Sequence, residues 1–114
     1  MKKFLILYKA PVDAMAQTAG ATPEQRAKGM EAWMQWAKKT GAQLVEMGSP
    51  LTNARLLNPE GKTTASKNQV VGYSILEAAN MDGAIALLKG HPHISGWSPE
   101  ATIEVHESMS IPGM

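Results

Sequence analysis

The sequence predicts an α+β fold in which one four-stranded antiparallel sheet is covered on one face by two helices. Three observations carry this expectation. Stretches of β-prone residues at 4–8, 43–47, 69–76 and 101–107 alternate with two capped segments of helical periodicity, giving the order β-α-β-β-α-β. The second and third strands are joined through the turn signal Asn58-Pro59-Glu60-Gly61, not through a helix. The chain has 114 residues, 44% of them hydrophobic, which suits one domain, residues 1–114, with a modest core.

The first strand is the continuous run Phe4-Leu5-Ile6-Leu7-Tyr8, and unbroken hydrophobicity implies burial on both faces. Together with Met1-Lys2-Lys3 it imitates a signal peptide, yet the run is too short and no small-residue cleavage site follows. Residues 11–21 mix small residues, Asp13 and Gly20 without a period and are expected to form the most mobile loop. Thr22 then precedes Pro23, with Gln25 three positions on, which is the pattern of a capping box with proline in the first turn. The helix should run to about Thr40 and stop at Gly41. At 100° per residue Ala27, Met30, Trp33, Met34 and Ala37 share the expected buried face. Trp36 falls beside that stripe, either edging the core or exposed where a partner subunit could cover it.

The second strand breaks at Gly48-Ser49-Pro50, with 51–57 as its continuation, and the polar stretch to Asn68 completes a long hairpin. The third strand leaves two inward sets open: Val70, Gly72, Ser74 and Leu76, or Val71, Tyr73 and Ile75. Asn80 caps a short helix with Asp82 in its first turn, inward positions Met81, Ala84, Ile85 and Leu88, and an end at Gly90. Residues 90–99 form a loop carrying His91, His93 and Trp97. The last strand sets Ile103 and Val105 against Glu104 and His106, one apolar and one polar face, and the tail with Pro112 and Gly113 wraps or frays. This is the split βαβ, or ferredoxin-like, arrangement. Two helices cover only one side of the sheet, so the apolar outer side of the first strand calls for a second subunit. Face-to-face pairing would enclose a space toward which Glu104 and His106 point.

Composition narrows the function classes. A net charge of +1 without a basic block gives no grip on nucleic acid. The absence of Cys removes disulfides, thiol catalysis, iron–sulfur clusters and thiolate zinc sites, and fits the cytoplasm. No apolar stretch approaches the roughly 20 residues that span a bilayer. Nucleotide-binding glycine motifs, the elbow serine and the zincin helix motif are missing, so no cofactor is expected.

The chemical candidates are few. His91 and His93 are imidazoles of a type that titrates near neutral pH and sit where a loop could aim both at one cavity, although the loop cap bonding a helix carbonyl is the preferred reading of His91. A metal would need a third ligand such as His106 or Glu104, and none is predicted. Glu104 is either a ligand anchor between subunits or one half of a cross-strand pair, for instance with Arg55. Tyr8 could lend a hydroxyl to a ligand or merely pack its ring, and Trp97 could form an aromatic wall or plug the core beside the second helix.

The opening strand 1–8, the Gly48-Ser49-Pro50-Leu51 element, the His91-Pro92 pair and the closing Ile103-Glu104-Val105 resemble the YCII-related (DGPF) domain family of small dimeric α+β barrel proteins. The resemblance implies a homodimer with facing sheets. It also implies, for enzymatic members, a His near the start of the first helix paired with an Asp just beyond the Gly-Pro turn. Met30 and Asn53 or Ala54 occupy those positions here, and neither a thioether nor an amide passes a proton near neutral pH. The expectation is therefore a homodimer binding a small aromatic or acidic metabolite in the cavity between its facing sheets, through His91, Glu104 and Tyr8, with His93 and His106 as further contacts. Two alternatives stand beside it: a lyase or isomerase using His91 or His93 as its acid–base group, and an interaction module associated with transcription regulation, with an exposed Trp36 as the contact.

Overall fold

The structure is a computed structural model that describes residues 1–11 and 20–111. The loop expected at 11–21, with Asp13, and the end of the tail, with Pro112 and Gly113, lie largely or wholly outside the described residues. Strand β1 (Lys2–Lys9) is followed by helix α1 (Pro23–Thr40), β2 (Leu44–Glu46), β3 (Arg55–Leu57), β4 (Thr63–Ala65), β5 (Val70–Ala78), helix α2 (Met81–Leu88) and β6 (Thr102–Glu107). The main sheet has the order β2-β5-β1-β6, with antiparallel neighbours throughout. This is the ferredoxin-like α+β arrangement the sequence predicts.

Register decides which side of each strand is buried. In β1 pairing with β5, Phe4 stands opposite Leu76, Ile6 opposite Ser74 and Tyr8 opposite Gly72, so these six share one face. That face packs with Trp36 of α1 and with Ala84 and Leu88 of α2 into a single core, which places both helices on the same side. Of the two inward sets open for the third strand, the one containing Gly72, Ser74 and Leu76 is therefore the buried one. Ile103 and Val105 of β6 complete the core edge, while Glu104 and His106 stand on the other face.

The capping box at α1 forms as expected: the Gln25 N–H donates to Thr22 Oγ1 at 3.2 Å and the Thr22 N–H to Gln25 Oε1 at 2.9 Å. The expected buried stripe of the helix does not. Met30 and Met34 are exposed, whereas Trp36 and Thr40 are buried and Trp33 and Ala37 pack against the core. The helix is rolled by roughly a quarter turn relative to the hydrophobic stripe. A satisfied indole explains the preference: Trp36 Nε1 donates to the Leu87 carbonyl at 2.9 Å, tying α1 to α2, and Thr40 Oγ1 donates to the Trp36 carbonyl at 2.8 Å. In α2, likewise, Ile85 points outward, and Leu87 packs against the core instead.

The region between β2 and β5 corrects the simple long hairpin. Chain pairing at Pro50 is a single bridge to Gly72, after which β3 and β4 form their own two-stranded sheet. The turn is closed by Asn58, whose Oδ1 accepts from the N–H groups of Glu60 and Lys62. The strand at Thr63–Ala65 falls within the polar stretch that follows the turn, and its residues are exposed.

Candidate functional site

A cleft of about 890 Å³ lies on the helix-covered side, between the N-terminal half of α1, the Gly48-Ser49-Pro50 turn and the loop after α2. Its volume falls within the range usual for small-molecule sites. A row of rings forms one wall. Trp33 meets Tyr8 edge-on with centroids 4.8 Å apart, Tyr8 lies 5.3 Å from His93, and His93 lies 5.6 Å from Trp97. Met30, Met47 and Pro50 add apolar surface, and Gln25 and Arg26 border the cleft at the start of α1.

The opposite wall depends on two glycines. Gly48 adopts φ of 77°, and a Cβ there would lie 1.8 Å from the Tyr73 carbonyl oxygen, so only glycine lets the turn lie against β5. The Tyr73 N–H donates to the Ser49 carbonyl at 3.3 Å and the Leu51 N–H to the Val71 carbonyl at 2.9 Å, fastening the turn to that strand. Gly72 faces Tyr8, and a Cβ there would approach the ring to 3.3 Å.

Tyr8 is anchored from behind. Ser74 Oγ donates to the Met47 carbonyl at 2.7 Å, which leaves the Tyr8 hydroxyl to donate to Ser74 Oγ, also at 2.7 Å. Burial pushes the Tyr8 pKa up to about 12, with the Ser74 bond opposing it, so the phenol stays protonated. Ser74 is a site residue that the sequence did not single out. Its only signal was a hydroxyl at an inward position between Gly72 and Leu76.

His91 and His93 do different work although Pro92 alone separates them. His91 is wholly buried behind the cleft wall, stacked on Tyr8 at 5.0 Å and edge-on to Trp33 and Trp36, each at 4.4 Å. Its Nδ1 accepts the His93 N–H at 2.9 Å and so caps the short 3₁₀ turn Pro92–Ile94. That bond places the ring proton on Nε2, which is buried among the aromatic faces with no hydrogen-bond partner among the described residues. Burial, reinforced by the nearby His93, lowers the His91 pKa to about 3 and keeps the ring neutral. His93 lines the cleft, with Nε2 2.9 Å from the Lys9 carbonyl. Burial lowers its pKa as well, against the opposing pull of the Lys9 and Thr102 carbonyls. Trp97 donates its indole N–H to the His93 carbonyl, so the loop is held by both of its large rings.

Glu104 and His106 lie on the other face of the sheet. They are 2.6 Å apart, with Lys9 Nζ 3.6 Å from the second Glu104 oxygen, and all three are partly exposed. The His106 bond first and the Lys9 charge second hold the Glu104 carboxyl below its usual pKa. Arg55, the cross-strand partner considered for Glu104, instead donates to Thr63 Oγ1 within the β3–β4 hairpin. The five predicted contacts thus divide: Tyr8 and His93 reach the cleft, His91 braces it from inside the core, and Glu104 and His106 belong to the open face. Among the described residues no group of three His, Asp or Glu is placed to hold a metal ion, and no helix is long and apolar enough to cross a membrane.

Residues 1–104 match the YCII-related domain, a span that takes in every element from β1 to the first half of β6. The chain belongs to the YCII-related domain family. Its architecture agrees with the dimeric α+β barrel fold of that family. A search of curated proteins returns no match. Within the YCII-related frame, Met30, which stands where the resemblance puts a His, lines the cleft, whereas Asn53 and Ala54 are exposed residues outside its lining. Trp36, the contact expected of an interaction module, is buried.

Proposed function

We propose that this YCII-related protein is a cytoplasmic homodimer that binds one small metabolite in the helix-side cleft of each subunit, with Tyr8 and His93 among the contacts. The observation that carries the reading is the ring-walled cleft itself: an apolar concavity of about 890 Å³ with few polar groups at its edge. The dimer rests on the opposite face, where Leu5 and Leu7 of β1 and Ile75 of β5 have no covering element among the described residues. Glu104, His106 and Lys9 border this apolar stripe and would meet the twofold-related subunit.

Binding is favoured over proton transfer. His91 is sealed from the cleft, and burial weakens His93 as a base while its Nε2 proton is taken by the Lys9 carbonyl. Native mass spectrometry of gently purified protein tests the reading. A dimer carrying one retained small molecule per subunit is expected. A bare monomer that shows no thermal shift with any member of a metabolite panel would overturn it.

A further inference from the structure

We infer that the free edge of β6 is an interaction surface for the β6 of a second copy of this chain, the two strands pairing antiparallel with Val105 opposite Val105. The contact is independent of the cleft and lies at the rim of the sheet, apart from the facing-sheet contact of the reading above.

The two edges of the main sheet are built differently. At one, β2 has three residues, its register with β5 shifts between Leu44 and Glu46, and the chain beyond it meets β5 only at Pro50, features that blunt an edge against further pairing. At the other, β6 runs for six residues without glycine, proline or bulge. Its ladder with β1 fixes where its backbone groups point. The register continues past Phe4 and Glu107 to set Ser108 opposite Lys3, and the Ser108 N–H donates to the Lys3 carbonyl at 2.9 Å. Antiparallel bonding alternates along a strand, so Thr102, Glu104 and His106 turn their N–H and C=O groups toward β1, and Ile103, Val105 and Glu107 turn theirs outward. Among the described residues these outward groups have no backbone partner. The core is open at the same edge, where Ile103 and Val105 are only half-buried on the helix side.

Charge selects the occupant. Two twofold registers pair the outward groups over most of the strand. One sets Glu104 opposite Glu104, and like charges directly opposite repel. The other sets Val105 opposite Val105 and brings Glu104 of each strand opposite His106 of the other, twice, in the pairs without hydrogen bonds, where side chains come closest. The attraction that Glu104 and His106 already show within one chain, at 2.6 Å, is thereby repeated between chains. Side chains that would turn away an arbitrary strand therefore fit a second β6, and the added strand covers Ile103 and Val105 with their own counterparts.

Amide hydrogen exchange of the full chain, followed by NMR, tests the edge. With β6 paired on both sides, the outward Val105 amide is expected to exchange within about tenfold of the rates of Glu104 and His106. A larger excess for Val105, the alternation of a strand bonded on one side only, overturns the inference. Packing of sheet faces leaves that alternation in place, so a sample that sediments as a dimer and still alternates sinks the edge contact and spares the facing-sheet reading. The register is tested by mixing Glu104→Lys protein with His106→Glu protein and counting pairs by native mass spectrometry. Neither variant keeps the attraction within its own chain, and each alone sets unlike partners apart across the edge. Only the mixed pair brings opposite charges together at both positions, and it is expected to exceed its statistical share over the two like pairs by about tenfold. A statistical mixture overturns the register centred on Val105.

Discussion

The two faces of β1 are built from equally apolar residues and behave differently. Phe4, Ile6 and Tyr8 are 0%, 0% and 2% exposed beneath the helices, whereas Leu5, on the alternate face of the same strand, is 37% exposed. On the helix side the Tyr8–Ser74–Met47 relay and the His91 cap pair the buried polar groups, and among the described residues His91 Nε2 is the one buried side-chain polar atom without a hydrogen bond. On the open side the polar groups pair loosely at the surface. One face is a closed core that also shapes a cleft, and the other carries the exposed Leu5 beside the Glu104–His106–Lys9 cluster. Substitutions on the helix side should therefore act on folding, and substitutions on the open side on assembly.

The sharpest way to break this contrast lies at Gly48. A methyl group there would sit 1.8 Å from the Tyr73 carbonyl oxygen, and the residue already occupies φ of 77°, where L side chains are strained. Neither the backbone of β5 nor the turn can yield without losing the Ser49 and Leu51 hydrogen bonds that fasten them. Gly48→Ala is expected to lose about 3 kcal/mol or more of folding stability in urea denaturation. A loss under about 1 kcal/mol would show that the turn is not rigid and that the cleft wall is not fixed by it.

His91 comes next, and pH reads it directly. Unfolded, the imidazole has a pKa near 6.5 and takes a proton as the pH falls through that value; folded, it stays neutral down to about 3. The unfolded state thus binds more protons across that window, so stability is full above about 6.5 and is lost as the solution is acidified, by about 1.4 kcal/mol per pH unit for one histidine. His93, shifted in the same direction, adds to the slope. His91→Phe keeps an aromatic ring among Tyr8, Trp33 and Trp36 but removes the acceptor for the buried His93 N–H, at a cost of about 1–3 kcal/mol at pH 7.5. Its stability should then fall less steeply in acid, so that the variant and wild-type curves converge toward pH 5. Parallel curves would mean that His91 is not the neutral core residue described here.

How much of this was legible in the sequence follows the same division. The capped start of α1, the Asn80 cap of α2 and the alternation of β6 are local signals, written in residues a turn or less apart, and they appear in the fold where they were expected. The roll of α1 was not legible, because Met30 and Met34 lie on the helical stripe while Trp36 falls beside it. What decides between them is the Leu87 carbonyl, 51 residues away, which satisfies the Trp36 indole. The inward set of β5 was ambiguous for a similar reason: the cross-strand register with β1 settles it, and register is a tertiary fact. The site divided because a strand's alternation tells which residues share a face but not which face holds the cleft. Glu104 and His106 were correctly placed opposite Ile103, yet Tyr8 and His93 open onto the helix side.

The smallest effect expected on folding is also the one that examines the open face most closely. Glu104 holds His106 at 2.6 Å and Lys9 at 3.6 Å, with all three side chains partly in water, and exposed pairs of this kind contribute little to folding. Glu104→Gln should therefore leave the melting temperature of the chain where it was. If the sheets of two subunits face each other, the same cluster is withdrawn from water on association, and removing its carboxylate strands the Lys9 ammonium without its partner. The dissociation constant of the dimer should then rise several-fold, as read by sedimentation equilibrium at pH 7.5. His106→Gln, which keeps the Glu104–Lys9 pair, should raise it less. A dimer indifferent to both substitutions would place the contact between subunits elsewhere than this face, and would leave the exposed Leu5 and the half-buried Leu7 and Ile75 outside it.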